Sequence, residues 1–186
     1  MKLLNIISLV VGLAAVVVNA NAAPLVINPE QSKVEVAVSC TIDSFVAHLN
    51  KYQATVDCDP TNALPAKAEV TFNFTDLKTG NTDRDAAMIK WLDNGTNPAA
   101  TFHLTGWNQS GTNSIALGQL TIHGVTVSVQ MPAVVKHDAD SWDISGQTII
   151  DYQDFKLTKI RKALFLVVDP KLTIKFHLVG KVVAAK

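Results

Sequence analysis

Apolar and polar residues alternate along several stretches of this chain. In "KVEVAVS" the valines Val34, Val36 and Val38 alternate with polar or charged positions, and "VTFNFT", "VTVSVQM" and "KLTIKFHL" repeat the pattern further along. A period of two is typical of strands that have one apolar and one wet face. We therefore predict a strand in each of these four stretches.

Turn-forming residues separate the predicted strands. The segments "DPTNALP", "TGNT", "DNGTNP" and "NQSGTNS" are rich in Asn, Gly, Pro and Asp, and "IHGVTV" predicts a tight hairpin with His123 and Gly124 at its tip. We find no internal repeat and no linker long enough to divide the chain. Seven or eight antiparallel strands avoid exposed edges by closing. The pattern predicts an all-β fold, an eight-stranded antiparallel barrel.

One stretch, "KTGNTDRDAAMIKWLD", interrupts the strands with a different period. Thr82 followed by Asp85 is similar to a capping box, which places a helix start here. Ala87, Met88 and the Trp91-Leu92 pair then recur at spacings of three and four residues, forming an apolar stripe. We predict a short helical excursion that covers one mouth of the barrel.

The first 22 residues have the features of a secretory signal peptide. They contain one cation, Lys2, then an apolar run, and end in the small-x-small pattern Ala20-Asn21-Ala22. The alternative is a membrane anchor, but the run is shorter than the roughly 20 apolar residues that span a bilayer. We predict a signal peptide at 1–22, a mature domain at 23–186, and a periplasmic or secreted location.

Composition fits a single domain with a large core or an apolar cavity, because 48% of the 186 residues are hydrophobic and 17% are charged. Removing the predicted signal leaves 15 basic and 16 acidic residues, a net charge of −1. This balance gives no attraction for nucleic acid. Cys40 and Cys58 both lie in the exported part, which favours a structural disulfide over free thiols or a metal pair.

No catalytic or metal motif accompanies the polar residues. Asp76, Asp83 and Asp85 supply acids, but no nucleophile elbow, serine–histidine arrangement or HExxH is present. The five histidines lack metal-ligand spacing, and exposed strand or turn positions explain them more simply. We expect a protein that is not an enzyme and that has no metal site.

Five segments together resemble the YceI-like family of periplasmic, lipocalin-like proteins. They are "KYQATVDCDP", "DLKTGNTDRDAAMIKWLD", "NPAATFHLT", "LGQLTIHGVTVSVQMP" and "GQTIIDYQDFKL", and they occur in the family's order. The chain departs from the family at Tyr152, where the family has an arginine.

The resemblance implies an extended lipocalin-like barrel that holds a long polyisoprenoid, such as an isoprenoid quinone or a prenyl pyrophosphate, and needs no other cofactor. A membrane-protein delivery partner and a homodimer are left open. Two other functions also stay open at this point: an interaction or stress-response module with a solid core, and a hydrolase or isomerase of a lipid-like substrate.

The predicted ligand-lining residues are apolar side chains that would equally form an ordinary core, and the resemblance favours the lining role. They are Phe72, Phe74, Met88, Trp91, Leu92, Phe102, Leu104, Phe155, Ile174 and Phe176. Arg84 and Asp85 are the predicted polar groups at the mouth, where Arg84 suits a phosphate or a quinone oxygen. The alternative is that these two side chains tie the helix to the barrel rim.

Overall fold

The computed structural model describes residues 22–59, 62–110, 113–162 and 166–183, and most of them lie in strands. The predicted signal peptide, apart from Ala22, lies outside the described residues. Among the described residues no helix is both long and apolar enough to cross a bilayer. The strands are β1 (Ala23–Ile27), β2 (Lys33–Cys40), β3 (Phe45–Leu49), β4 (Gln53–Cys58), β5 (Lys67–Asn73), β6 (Leu77–Lys78), β7 (Ala99–Ser110), β8 (Asn113–Ile122), β9 (Val125–Asp138), β10 (Ser141–Asp151), β11 (Arg161–Lys162) and β12 (Leu166–Val182).

These strands form the predicted eight-stranded antiparallel barrel. Three of the eight strands in the barrel wall are interrupted: β1 continues as β2, β3 as β4, and β5 as β6. The other five wall strands are β7, β8, β9, β10 and β12. One edge of β12 pairs with β10, and its other edge pairs with β2 and then β1, which closes the sheet. Strand β11 pairs only with β12, outside this circuit. The fold prediction is confirmed.

The hairpin between β8 and β9 is also as predicted. Ile122 pairs with Val125, so the loop consists of His123 and Gly124 alone. Their φ angles are 51° and 70°. Both angles are positive, as the two central residues of a type I′ turn require, and this turn matches the twist of the strands it joins.

Helix α1 (Thr82–Trp91) follows β6, but it starts differently from the prediction. Asn81 is the N-cap, and its side chain accepts a hydrogen bond of 3.0 Å from the backbone N–H of Arg84. Asp85 is therefore not the partner of a Thr82 cap. Gly80, with φ of +76°, supplies the left-handed turn that brings the chain into the helix.

Buried apolar side chains close both ends of the barrel. The helix-end cluster lies under α1 and contains Phe74, Leu92, Tyr152 and Phe155, together with residues of the neighbouring strands. The far-end cluster lies at the other end and contains Leu25, Val56, Cys58, Trp142, Ile144, Leu178 and Val182. Two smaller buried clusters, one of Ala47, Leu49 and Leu77 and the other of Leu104, Ala116 and Met131, complete the core.

The predicted disulfide is wrong, because Cys40 and Cys58 are both free thiols. Cys40 ends β2 and contacts the helix-end cluster, whereas Cys58 ends β4 within the far-end cluster. A disulfide needs Cα atoms within about 7 Å, and the two cysteines lie at opposite ends of the barrel. Burial raises the pKa of the Cys58 thiol to about 12, with a further contribution from Asp57. An inert structural thiol has this character.

Candidate functional site

Eight inward-pointing apolar side chains near the middle of the strands are only partly buried, although their neighbours Leu104, Ala116 and Met131 are buried. We call these eight side chains the central belt: Val36, Val38, Phe72, Phe102, Val127, Val129, Ile174 and Phe176. A barrel filled at native packing density would bury these side chains as fully as it buries the two end clusters. Their partial exposure indicates space inside the barrel, and a barrel of eight strands has room for one slim ligand.

The structure divides the ten predicted lining residues into two groups. Six are partly exposed: Phe72, Met88, Trp91, Phe102, Ile174 and Phe176. The other four, Phe74, Leu92, Leu104 and Phe155, are buried, and Phe155 is 0% exposed. All except Leu104 and Phe176 belong to or contact the helix-end cluster. The second group forms packed core, and the first group packs beside it with some surface exposed. The lining role predicted for all ten residues stays a prediction.

Two rings of the central belt lie over glycines of the adjacent strands. A Cβ atom added to Gly118 would overlap the ring of Phe102, and one added to Gly146 would lie 2.7 Å from the ring of Phe176. The missing side chains leave room for the outer edge of each ring against the wall. Our sequence analysis did not single out these glycines. A glycine inside a strand marks a close approach, and that signal was present in "LGQL" and "ISGQ".

Helix α1 is fixed over its end of the barrel by aromatic contacts. The indole Nε1 of Trp91 donates a hydrogen bond of 2.9 Å to the carbonyl oxygen of Thr158. Its ring meets that of Tyr152 edge-to-face at 5.0 Å. The Tyr152 hydroxyl accepts from the backbone N–H of Ile160 and donates to the carbonyl oxygen of Val168. Tyr152, at the position of the family's arginine, is therefore a buried structural residue.

Arg84 and Asp85 tie the helix to the rim. Asp85 Oδ1 accepts hydrogen bonds from the backbone N–H and the hydroxyl of Thr79, at 2.9 and 2.6 Å. The guanidinium of Arg84 lies 3.8 Å from the centre of the Phe45 ring on β3 and 3.8 Å from a carboxylate oxygen of Asp43. This geometry matches the alternative from the sequence, and a ligand contact by either residue stays a prediction.

Burial opposes ionisation of Asp85, but the two hydrogen bonds from Thr79 outweigh it. With the nearby charges of Lys78 and Arg84 they hold the pKa of Asp85 below its ordinary value. A lowered folded-state pKa means that Asp85 contributes stability above the unfolded-state pKa, and that this contribution is lost as the pH falls through the folded-state pKa.

We therefore expect Asp85→Asn to lower the free energy of unfolding at pH 7 by about 1–2 kcal/mol. A hydrogen bond to a charged group contributes about 1.5–3 kcal/mol, and the neutral amide oxygen of asparagine retains part of this. The difference from wild type should shrink below about pH 4, where the unfolded-state carboxyl becomes protonated before the folded-state one. Urea unfolding at pH 7, 5 and 3 measures this. The exposed acid Asp138, replaced by Asn, is the control. A difference that stays constant across the pH range would contradict the assignment.

A groove of about 730 Å³ lies on the outer surface, across β2, β12, β10 and β9. Its polar lining includes Lys33, Glu35, Gln147, Lys175 and His177. Its apolar lining includes Phe176 of the central belt. Within the described parts of the chain, no group of three or more His, Cys, Asp or Glu side chains is placed to hold a metal ion.

The barrel can be compared with known proteins. The family profile described as the YceI-like domain matches residues 25–180, nearly the whole of the barrel. This chain belongs to the YceI-like domain family. A curated relative, a UPF0312 protein from Pseudomonas paraeruginosa, is 28% identical over 114 residues, which is 57% of this chain and 60% of the relative. The chain therefore spans less than two thirds of that relative.

Solved structures show the same fold as this YceI-like protein. Burkholderia cenocepacia BcnA superposes with a TM-score of 0.74 at 24% identity, covering 83% of this chain and 99% of BcnA. A polyisoprenoid binding domain from Saccharophagus degradans, implicated in plant cell wall breakdown, gives a TM-score of 0.67 at 14% identity, covering 87% and 99% of the two chains. These likenesses establish the YceI-like barrel.

Proposed function

We propose that this protein is an exported binding or carrier protein that holds a long apolar chain, a polyisoprenoid, along the barrel axis. One observation carries the proposal: the side chains of the central belt point inward, are apolar and remain partly exposed between two buried ends. Burying hydrocarbon against them would contribute about 25 cal/mol per Å².

Family membership supports a binding role more than a catalytic one. The S. degradans domain of the same fold is named for polyisoprenoid binding. Of the three acids singled out from the sequence, Asp85 is engaged by the Thr79 hydroxyl. A linear polyisoprenoid is a long, slim apolar chain, which is the kind of ligand that the interior of an eight-stranded barrel can hold.

Native mass spectrometry of the purified protein is the first experiment, followed by denaturing extraction and identification of any lipid. We expect a co-purified isoprenoid and a chain mass lacking residues 1–22, which would support cargo and export in one sample. A stripped sample should gain thermal stability from added isoprenoid quinone or prenyl alcohol, because a ligand that binds only the folded state stabilises it. An empty protein with no such gain would contradict the carrier proposal and favour a module with a solid core.

A further inference from the structure

The barrel wall is open along one line. Pairing of β9 with β10 stops at Ala133 and Gly146. Beyond that point β9 stays paired with β8, and β10 stays paired with β12. Over residues 125–132 of β9 and 147–151 of β10, all of them described, no backbone pairing joins the two strands. We call this gap the β9–β10 seam.

Pro132 explains why the ladder stops there. The carbonyl oxygen of Gln130 points toward β10, since it accepts a hydrogen bond of 2.9 Å from the Thr148 hydroxyl. In an antiparallel strand the N–H and C=O of a residue point to the same side, and alternate residues share that side. Residue 132 therefore faces β10 as well, and as a proline it has no N–H to donate.

The same alternation directs the backbone of Ser128 into the seam. Its N–H and C=O, together with the N–H of Gln130, are the main-chain groups that a continued ladder would have used. Among the described residues, a replacement partner is found for the Gln130 carbonyl alone: the hydroxyl of Thr148, whose side chain is 9% exposed. The seam thus presents hydrogen-bonding groups of both kinds at the barrel wall.

A cleft of about 250 Å³ occupies the seam and has an apolar and a polar side. Its inner lining is Val127, Val129, Ile150 and Phe155, which belong to or contact the helix-end cluster. Its outer lining is Ser128, Gln130, Asp151 and Asp154. Among the described residues, no lysine or arginine lines this cleft. Lys171 is the cross-strand partner of Asp151 on β12, so the two side chains share the outer face of the sheet, but Lys171 is not part of the cleft lining.

From this geometry we infer that the β9–β10 seam is the subsite for the polar head of the ligand, and that it takes an uncharged head, a hydroxyl or a carbonyl. This inference rests on the proposed carrier function. The apolar chain lies inside against Val127 and Val129, and the head hydrogen-bonds the free backbone groups of Ser128 and Gln130. Asp151 and Asp154 repel a phosphate or pyrophosphate, and none of the described residues that line the cleft is a lysine or arginine that would bind it.

The test compares two lipids that differ only in the head, geranylgeraniol and geranylgeranyl monophosphate. Each displaces the apolar fluorophore N-phenyl-1-naphthylamine from the stripped full-length mature protein. We expect the alcohol to bind at least about tenfold more tightly than the phosphate. The double variant Asp151→Asn with Asp154→Asn should tighten phosphate binding severalfold, so that the preference for the alcohol becomes smaller.

The variants are chosen to keep the fold. Asp151 Oδ1 accepts from the backbone N–H of Gln153, a role that asparagine retains as a cap. Asp143→Asn combined with Asp138→Asn, two acids of β10 and β9 outside the seam, is the charge-matched control and should change neither affinity. Equal binding of both lipids, unaffected by the double variant, would overturn the seam assignment alone. Displacement of the fluorophore by neither lipid would overturn the carrier function and the seam together.

Discussion

Replacing Phe155 with alanine is expected to lower the free energy of unfolding by about 3–5 kcal/mol, the usual cost of removing a buried phenylalanine. Phe155 is 0% exposed and lies in the helix-end cluster with Phe74, Leu92 and Tyr152. Phe155 lies at the end of a 3₁₀ turn (Tyr152–Phe155), which is followed by Lys156 with a φ of 60°. Because this left-handed conformation fixes the local backbone, the chain cannot collapse into the cavity that the truncation would leave.

Urea unfolding at pH 7 measures this change, with Ile42→Ala as the control. Ile42 is apolar but 70% exposed, so its truncation should change stability by less than about 0.5 kcal/mol. A loss below about 1 kcal/mol for Phe155→Ala would mean that the helix end is loosely packed. In that case Phe155 would belong with the ligand-lining residues, as the sequence predicted.

Replacing Gly118 with alanine should reduce the affinity for N-phenyl-1-naphthylamine by at least about tenfold, or about 1.4 kcal/mol of binding free energy. The new methyl group would lie 2.6 Å from Cζ of Phe102 and 2.9 Å from the carbonyl oxygen of His103. The backbone oxygen cannot retreat, so the flexible ring must turn away from the wall and into the barrel. We expect the crowding to cost about 1–3 kcal/mol of stability as well.

Gly106→Ala is the matched control, because nothing lies within 4 Å of a Cβ atom added there. Gly106 lies in β7, the strand that carries Phe102, so this variant also shows the effect of a glycine-to-alanine change in that strand. Adding Phe102→Leu to Gly118→Ala should restore binding, since the smaller side chain no longer fills the interior. Fluorescence titration measures the affinity of the wild type, Gly118→Ala, Gly118→Ala with Phe102→Leu, and Gly106→Ala for N-phenyl-1-naphthylamine. Unchanged affinity in Gly118→Ala would show that the probe does not occupy the central belt.

Local patterns predicted the elements of this fold where a single chemical rule governs them. The alternation in residues 33–39 and 125–131 placed β2 and the first half of β9, because a pleated strand turns successive side chains to opposite faces. The dipeptide His123-Gly124 predicted its turn, because few residue pairs accept two successive positive φ angles. The helix start was misplaced by one residue, since Asn81 competes with Thr82 for the same backbone donors.

The site was predictable in composition but not in arrangement. Phe72, Phe102, Ile174 and Phe176 were correctly placed on the inner face, because that follows from their period. Phe155 and Leu92 could not be separated from them by sequence, since a core and an apolar tube use the same side chains. The end of the β9–β10 pairing at Pro132 could not be predicted from the sequence either, because it depends on which strands lie on either side of β9.

The residue pattern alone was enough for an all-β barrel, its β8–β9 hairpin and its apolar inner face, because these depend on neighbours within a few positions along the chain. Tertiary structure decided the rest. It places Cys40 and Cys58 at opposite ends of the barrel, and it brings the Phe102 and Phe176 rings against glycines of other strands. It also determines the contacts of Arg84 and Asp85 at the barrel rim and the β9–β10 seam. Each of these depends on the pairing register of strands distant in sequence, which fixes distances that no local pattern contains.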